Sequence, residues 1–207
     1  MDKFDFRKSY PELYSPGRRD FALVQVPHLQ YLAVDGHGNP NTSPEYAQAL
    51  ECLYPVAYAV KFRSKNELEQ DFTVPPLEAL WRAADMSAFT AGDKDSWDWT
   101  ALIAQPEWIT AGMVEQAVAA VAAKKDPPGI DRVRLLPLDE GLSAQILFVG
   151  PYDDEAPVLA RLHDAWMPEH DLAFNGDHHE VYLNDPRRTA PAKLRTVLRQ
   201  PVRPDSG

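Results

Sequence analysis

The chain has 207 residues, 44% of them hydrophobic, and a net charge of −10. That length suits one compact domain or two small fused halves. The acidic balance argues against nucleic acid as a partner, since such binding needs Lys and Arg to displace phosphate counterions. It favours cationic ligands wherever acids line a cleft. A single cysteine, Cys52, leaves no internal disulfide framework and suits a reducing cytoplasm. On its predicted helix it reads as a small buried hydrophobe. The N-terminus lacks the apolar core of a signal peptide, and no apolar run is long enough to span a membrane, so no membrane partner is expected.

Residues 1–19 read as an irregular arm with aromatic anchors at Phe4, Phe6, Tyr10 and Tyr14. Residues 21–26 and 29–35 alternate as strands around Pro27. Residues 36–41 are rich in turn formers but lack the Lys-Ser/Thr ending of a phosphate loop. Ser43-Pro44 opens a helix, with Ser as cap and Pro in the first turn. Tyr46, Leu50, Leu53 and Ala57 follow helical spacing, and Pro55 should bend the helix. A strand is expected over 72–82 and its antiparallel partner over 97–104, joined by a long loop with a polar turn at 93–95. Thr110 caps a second helix running through Lys124. Asp126-Pro127-Pro128-Gly129 is the clearest boundary in the chain.

Beyond it, strands are expected over 132–138 and 142–149, a helix over 154–166, a strand over 178–183 and a last strand over 197–202. Leu23-Val24-Gln25-Val26-Pro27 is echoed by Arg134-Leu135-Leu136-Pro137. Each is followed by a second strand, a Gly/Pro turn and a helix. The echo suggests two β-α-β-β halves, about 20–126 and 130–203, within one domain spanning 20–207.

The strand over 178–183 carries the chemistry. Alternation puts His178, Glu180 and Tyr182 on one face and Val181 and Leu183 on the other. A carboxylate on such a face can be the counter-charge for a cation or a general base for water, with a phenol beside it as hydrogen-bond donor. The bland alternative is a solvated acid paired with Arg, which is worth little. Trp97 and Trp99, two apart on a strand, share a face and either offer a π surface to a ligand or fill the core beneath a helix. Tyr152 sits at a strand-to-helix corner and either closes one end of a cleft or anchors the corner. Trp81, Trp108, Tyr54, Tyr58 and Phe62 are further wall candidates, although packing is the commoner role for each alone. His178 and His179 are adjacent and point opposite ways, and His163 and His170 flank a Pro168 break with no Cys. No metal site and no cofactor are expected. No G-x-S-x-G elbow is present for a serine hydrolase.

The run from Glu180 to Val202 resembles the C-terminal signature of the GyrI-like small-molecule-binding proteins. The matching residues are Glu180, Tyr182, Asn184, Asp185, Pro186, Thr189, Pro191, Leu194, Arg195, Thr196, Pro201 and Val202. The segment Trp97-Asp98-Trp99-Thr100, followed by Gln105-Pro106, is similar to a second stretch of that family. The resemblance implies an α+β fold of duplicated β-α-β-β (SHS2-like) modules with antiparallel sheets. Helices would lie on one face and a ligand cleft on the other, at the junction of the halves.

Two functions are implied. One is binding of bulky aromatic, often cationic, small molecules, as in the effector domains of multidrug-sensing regulators. With no helix-turn-helix expected ahead of Phe21, this chain would be a stand-alone binder, as monomer or homodimer. The other is hydrolysis of cyclopropane-bearing, DNA-alkylating toxins, with Glu180 directing water and Tyr182, Trp97 and Trp99 beside it.

Overall fold

The computed structural model describes residues 3–83 and 94–205. The arm forms two single helical turns, α1 (Phe6–Ser9) and α2 (Pro11–Tyr14). The first half continues with β1 (Ala22–Val26), β2 (Leu29–His37), α3 (Pro44–Glu67), β3 (Leu77–Ala83), β4 (Trp97–Gln105) and α4 (Ala111–Lys125). The second half holds β5 (Arg134–Leu138), β6 (Gly141–Val149), α5 (Ala156–Ala160), α6 (Met167–Glu169), β7 (Leu172–Phe174), β8 (His178–Tyr182) and β9 (Arg195–Pro204). Between α5 and α6, Arg161–Trp166 forms a π-helical turn.

Among the described residues the strands make one nine-stranded sheet, in the order β1-β6-β9-β8-β3-β4-β2-β5, with β7 paired to β9. Every strand pairing is antiparallel. The order is symmetric about the β8–β3 seam. Each half also lends its opening strand to the other: β1 adds to β6 and β5 adds to β2, so the halves interlock. The fold is therefore α+β on a large antiparallel sheet.

Alternation divides the sheet into two faces. On β2, Leu32 and Val34 pack beneath α3 and α4 with Leu53, Val56, Val60, Val114 and Ala117. Leu29, Tyr31 and Ala33 point the other way and meet Phe6, Leu13 and Tyr14 of the arm. The arm is thus a third layer, closing the face that the long helices leave open. A smaller cluster under α5 and α6 joins Leu162 and Met167 to Ile146, Leu198 and Val202. Cys52 is buried on α3, and burial raises its thiol pKa.

Several boundaries differ from expectation, each for a local reason. The expected strand over 72–82 begins only at Leu77, because Pro75-Pro76 offers no N–H to a ladder. Phe72 makes just an isolated bridge to Phe4. The helix expected over 154–166 is instead a 3₁₀ turn (Tyr152–Asp154), then α5, then the π turn. Strand β7 was not anticipated, being three residues with no room for alternation to show. The polar turn expected at 93–95 lies partly outside the described residues, and Lys94–Ser96 is a 3₁₀ turn. α3 continues across Pro55.

Candidate functional site

α3 and α5 lie on the same face of the sheet, one from each half, and leave the β8–β3 seam between them uncovered. The resulting cleft has a volume of about 1970 Å³. It is therefore on the helix-bearing face, where the resemblance placed it opposite. The physical reason is the arm, whose Phe6, Leu13 and Tyr14 fill the opposite face. The volume exceeds the roughly 300–1,000 Å³ of ordinary small-molecule sites, so a bulky molecule fits.

At the seam, β8 presents His178, Glu180 and Tyr182 to the cleft, while His179 and Val181 point away. Glu180 is opposite Ala79 of β3 and Leu198 of β9, neither of which has a polar side chain to pair it. The Tyr182 hydroxyl donates to Glu180 Oε2 at 2.7 Å and accepts from Trp81 Nε1 at 3.0 Å. The indole thus fixes the phenol, and the phenol fixes one oxygen of the acid. The other oxygen, Oε1, lies 3.5 Å from His178 Nε2. Burial and the Glu180 charge hold the Tyr182 phenol pKa far above its ordinary value, so it stays a donor.

The walls are aromatic. Tyr46 of α3 stacks on Trp81, with ring centres 6.1 Å apart, and Trp81 meets Trp97 edge-on at 5.5 Å. Across the cleft, Tyr152 packs edge-on against Tyr182 at 5.5 Å. Burial, then Glu155 and Glu180, raises Tyr152 to about 12. At the mouth, Lys94 pairs with Asp153 at 2.7 Å and lies over the Trp97 ring at 5.9 Å.

The structure separates the sequence candidates. His178, Glu180, Tyr182, Trp81, Trp97, Tyr152 and Tyr58 all line the cleft. Trp99 does not. It is fully buried beneath α3, with Tyr46 edge-on above it and its Nε1 donating to the Gly38 carbonyl at 3.2 Å. Its cross-strand partner is Gly36, where a Cβ would stand 2.1 Å from the indole, so the ring lies in the space a side chain would occupy. Trp99 is core. Phe62 also falls outside the cleft, stacked on Tyr58 on the exposed side of α3. Trp108 packs against Phe4 and Phe72 and donates to Ser64 Oγ.

Among the cleft residues that escaped the sequence reading, two carry strongly shifted carboxyl or imidazole groups. Glu155, at the start of α5, is buried, and burial together with the Glu180 charge raises its pKa to about 10. The cleft therefore holds one carboxylic acid beside Glu180. In the sequence, Asp153-Asp154-Glu155 looks like ordinary acids at a helix start. His163 is the other: burial and His178 push its imidazole down to about 4. Among the described residues, no cluster of three or more His, Cys, Asp or Glu is placed to hold a metal.

Two expected results follow from this geometry. Trp97→Ala should weaken binding of an aromatic cation by about 0.5–2 kcal/mol, read by titration, because it removes one π face. An unchanged affinity would remove Trp97 from the wall. Glu155→Gln should alter the pH dependence of stability. A group raised in the fold contributes stability fully present below its ordinary value near 4.5 and lost as the pH rises through about 10. Relative to wild type, the variant should gain about 2–3 kcal/mol between pH 6 and 8, since each linked proton is worth about 1.4 kcal/mol per pH unit. Parallel denaturation profiles would mean that Glu155 is not held protonated.

A seam between two halves, an aromatic cleft above it and one tethered acid at its floor define a small-molecule-binding protein. The chain belongs to the GyrI-like small molecule binding domain family, whose model matches residues 19–203. An uncharacterized conserved protein from Listeria innocua is 35% identical, with TM-score 0.88 over 97% of this chain and 100% of that one. A hydrolase from Listeria innocua is 34% identical, with TM-score 0.84 over 97% and 100%. The C-terminal domain of EcmrR shares the fold, with TM-score 0.56 at 11% identity over 89% and 98%. No curated protein matches the chain. No helix among the described residues is long and apolar enough to cross a membrane.

Proposed function

We propose that the cleft takes bulky, flat aromatic compounds and that Glu180 turns them over by directing water onto an electrophilic, strained-ring carbon, as in cyclopropane-bearing alkylating toxins. The observation that carries this reading is the Glu180–Tyr182 pair on the cleft floor. Tyr182 holds Oε2, which leaves Oε1 to orient a water molecule and take its proton. The water oxygen bonds the ring methylene, the strained C–C bond breaks, and its electrons pass into the conjugated ring system, which is then protonated. The buried, protonated Glu155 is an acid within the same cleft. The relative named as a hydrolase, a third identical over nearly the whole chain, supports turnover over binding alone. Such an enzyme would act in the cytoplasm on intruding toxins, without contact to DNA.

A second reading is a stand-alone receptor for aromatic cations. The uncompensated acid of Glu180 among Tyr46, Trp81 and Trp97 favours it, since π faces and a carboxylate both attract a lipophilic cation.

The test is a single-turnover reaction of wild-type protein with a cyclopropane-bearing aromatic toxin, followed by mass detection of the water adduct. A protein-dependent adduct is expected. Its absence at saturating toxin, with saturable binding of an aromatic cation retained, would leave the receptor reading.

A further inference from the structure

At its inner end, beyond Glu180, the cleft changes from aromatic to polar. His178 of β8, His163 of the π-helical turn and Gln200 of β9 all border it. The β8–β9 register pairs His179 with Arg199, so His178 and Gln200 are neighbours on the face that carries Glu180. The His163 and His178 rings are 6.4 Å apart and nearly perpendicular. Phe174 lies edge-on to His163 at 4.9 Å.

His178 and Gln200 are buried and His163 is partly so. His163 lies within reach of the Gln200 side chain and His178 Nε2 faces Glu180 Oε1 at 3.5 Å, yet their hydrogen-bonding capacity is not filled. Among the described residues, neither ring nitrogen of His178 has a hydrogen-bond partner, nor has His163 Nε2, nor Gln200 Oε1. His178 is 5% exposed and Gln200 1%. Buried polar atoms are almost always well paired, and four without a well-formed hydrogen bond converging on one end of a cleft point to a ligand group that completes them. The Gln200 amide cannot turn its oxygen away. Its Nε2 donates to the carbonyls of Gly176 at 2.9 Å and Pro201 at 3.2 Å, and a flipped amide would set oxygen against oxygen. His163 comes from a π turn, a local widening of the helix that recurs at functional sites.

We propose that the inner end of the cleft, bounded by His163, His178 and Gln200, is a hydrogen-bonding subsite for a neutral carboxamide group on the bound aromatic molecule. This rests on the reading of the cleft as an aromatic-ligand site. A neutral imidazole has one donor and one acceptor, and Gln200 offers a fixed acceptor. A carboxamide complements that set: its carbonyl accepts from an imidazole N–H and its N–H donates to Gln200 Oε1. An anion is a poor fit, because Glu180 is adjacent and the depressed pKa of His163 keeps that ring uncharged. A cation would be drawn to Glu180 itself and would leave Gln200 and the imidazole donors unmatched.

The experiment is equilibrium titration, by NMR, of two neutral probes of similar size, 2-naphthamide and 2-ethylnaphthalene. Both are added to wild type, His163→Phe and Gln200→Leu. The readout is the ratio of the two affinities, which cancels general effects on the cleft. The ratio is expected to move by about three- to tenfold against the amide in each variant, the usual net value of a hydrogen bond, while 2-ethylnaphthalene binds as before. A ratio unchanged in both variants would overturn the subsite even though the cleft binds aromatics. Failure of both probes to bind wild type would overturn the aromatic cleft and the subsite together.

Discussion

Glu180→Gln is expected to lower the single-turnover rate on a cyclopropane-bearing toxin by about 10²–10⁴-fold, the contribution of a positioned general base. The substitution is nearly isosteric. Its amide oxygen can still accept from the Tyr182 hydroxyl that now donates to Oε2 at 2.7 Å, so the floor of the cleft keeps its shape. What is lost is the ability to take a proton from water. Binding of the neutral toxin should persist, and a titration beside the kinetics separates the two effects. In a pure receptor the same change has another signature: affinity for aromatic cations falls and affinity for neutral aromatics of equal size stays. Turnover and cation affinity both unchanged in the variant would remove Glu180 from the site.

The chain order shows what a sequence can reveal about such a site. Glu180, Tyr182 and His178 were legible as one face because alternation on a strand is local, and they reach the cleft together. The paired tryptophans were legible as one face for the same reason, but not as wall or core. That choice depends on Gly36, about sixty residues away, whose missing side chain makes room for Trp99. Phe62 shares helical spacing with Tyr58, yet it lies beyond the cleft's edge, and spacing cannot locate that edge.

Glu155 and His163 were not legible because their roles depend on burial and on a π turn, neither of which leaves a periodic trace. The face of the cleft was likewise decided by distant contacts. The arm looked irregular in sequence, but Phe6, Leu13 and Tyr14 are nearly inaccessible and occupy the face where the cleft was expected.

The arm and the underside of the seam are joined by buried charge, which yields the second large expectation: Arg199→Met should destabilise the protein by about 3–5 kcal/mol. Arg199 is 1% exposed. Its guanidinium donates to the Leu13 carbonyl at 3.0 Å, to Glu140 Oε2 at 3.3 Å and to Gln145 Oε1 at 3.3 Å. His179 Nδ1 is 2.9 Å from Glu140, and its Nε2 forms an ion pair with Glu78 at 2.9 Å, off the line of a good hydrogen bond. Tyr14 of the arm donates to Glu78. Burial alone would raise the Glu140 pKa, but His179 and Arg199 hold it at about 2. Burial would lower that of His179, but Glu140 and Glu78 lift it to about 9.

Two acids are thus balanced by two bases, and methionine fills the volume while leaving one acid uncompensated. Urea denaturation at pH 7 reads the loss, and adding Glu140→Gln to Arg199→Met should recover a large part of it by removing the stranded charge. A loss below about 1 kcal/mol, or no recovery in the double variant, would mean that the Arg199 charge contributes little to holding the arm. Because successive residues of β8 point to opposite faces, this network and the Glu180 site are adjacent in sequence and separated by the sheet. The strand can therefore commit His179 to stability and Glu180 to the ligand without either carboxylate system facing the other.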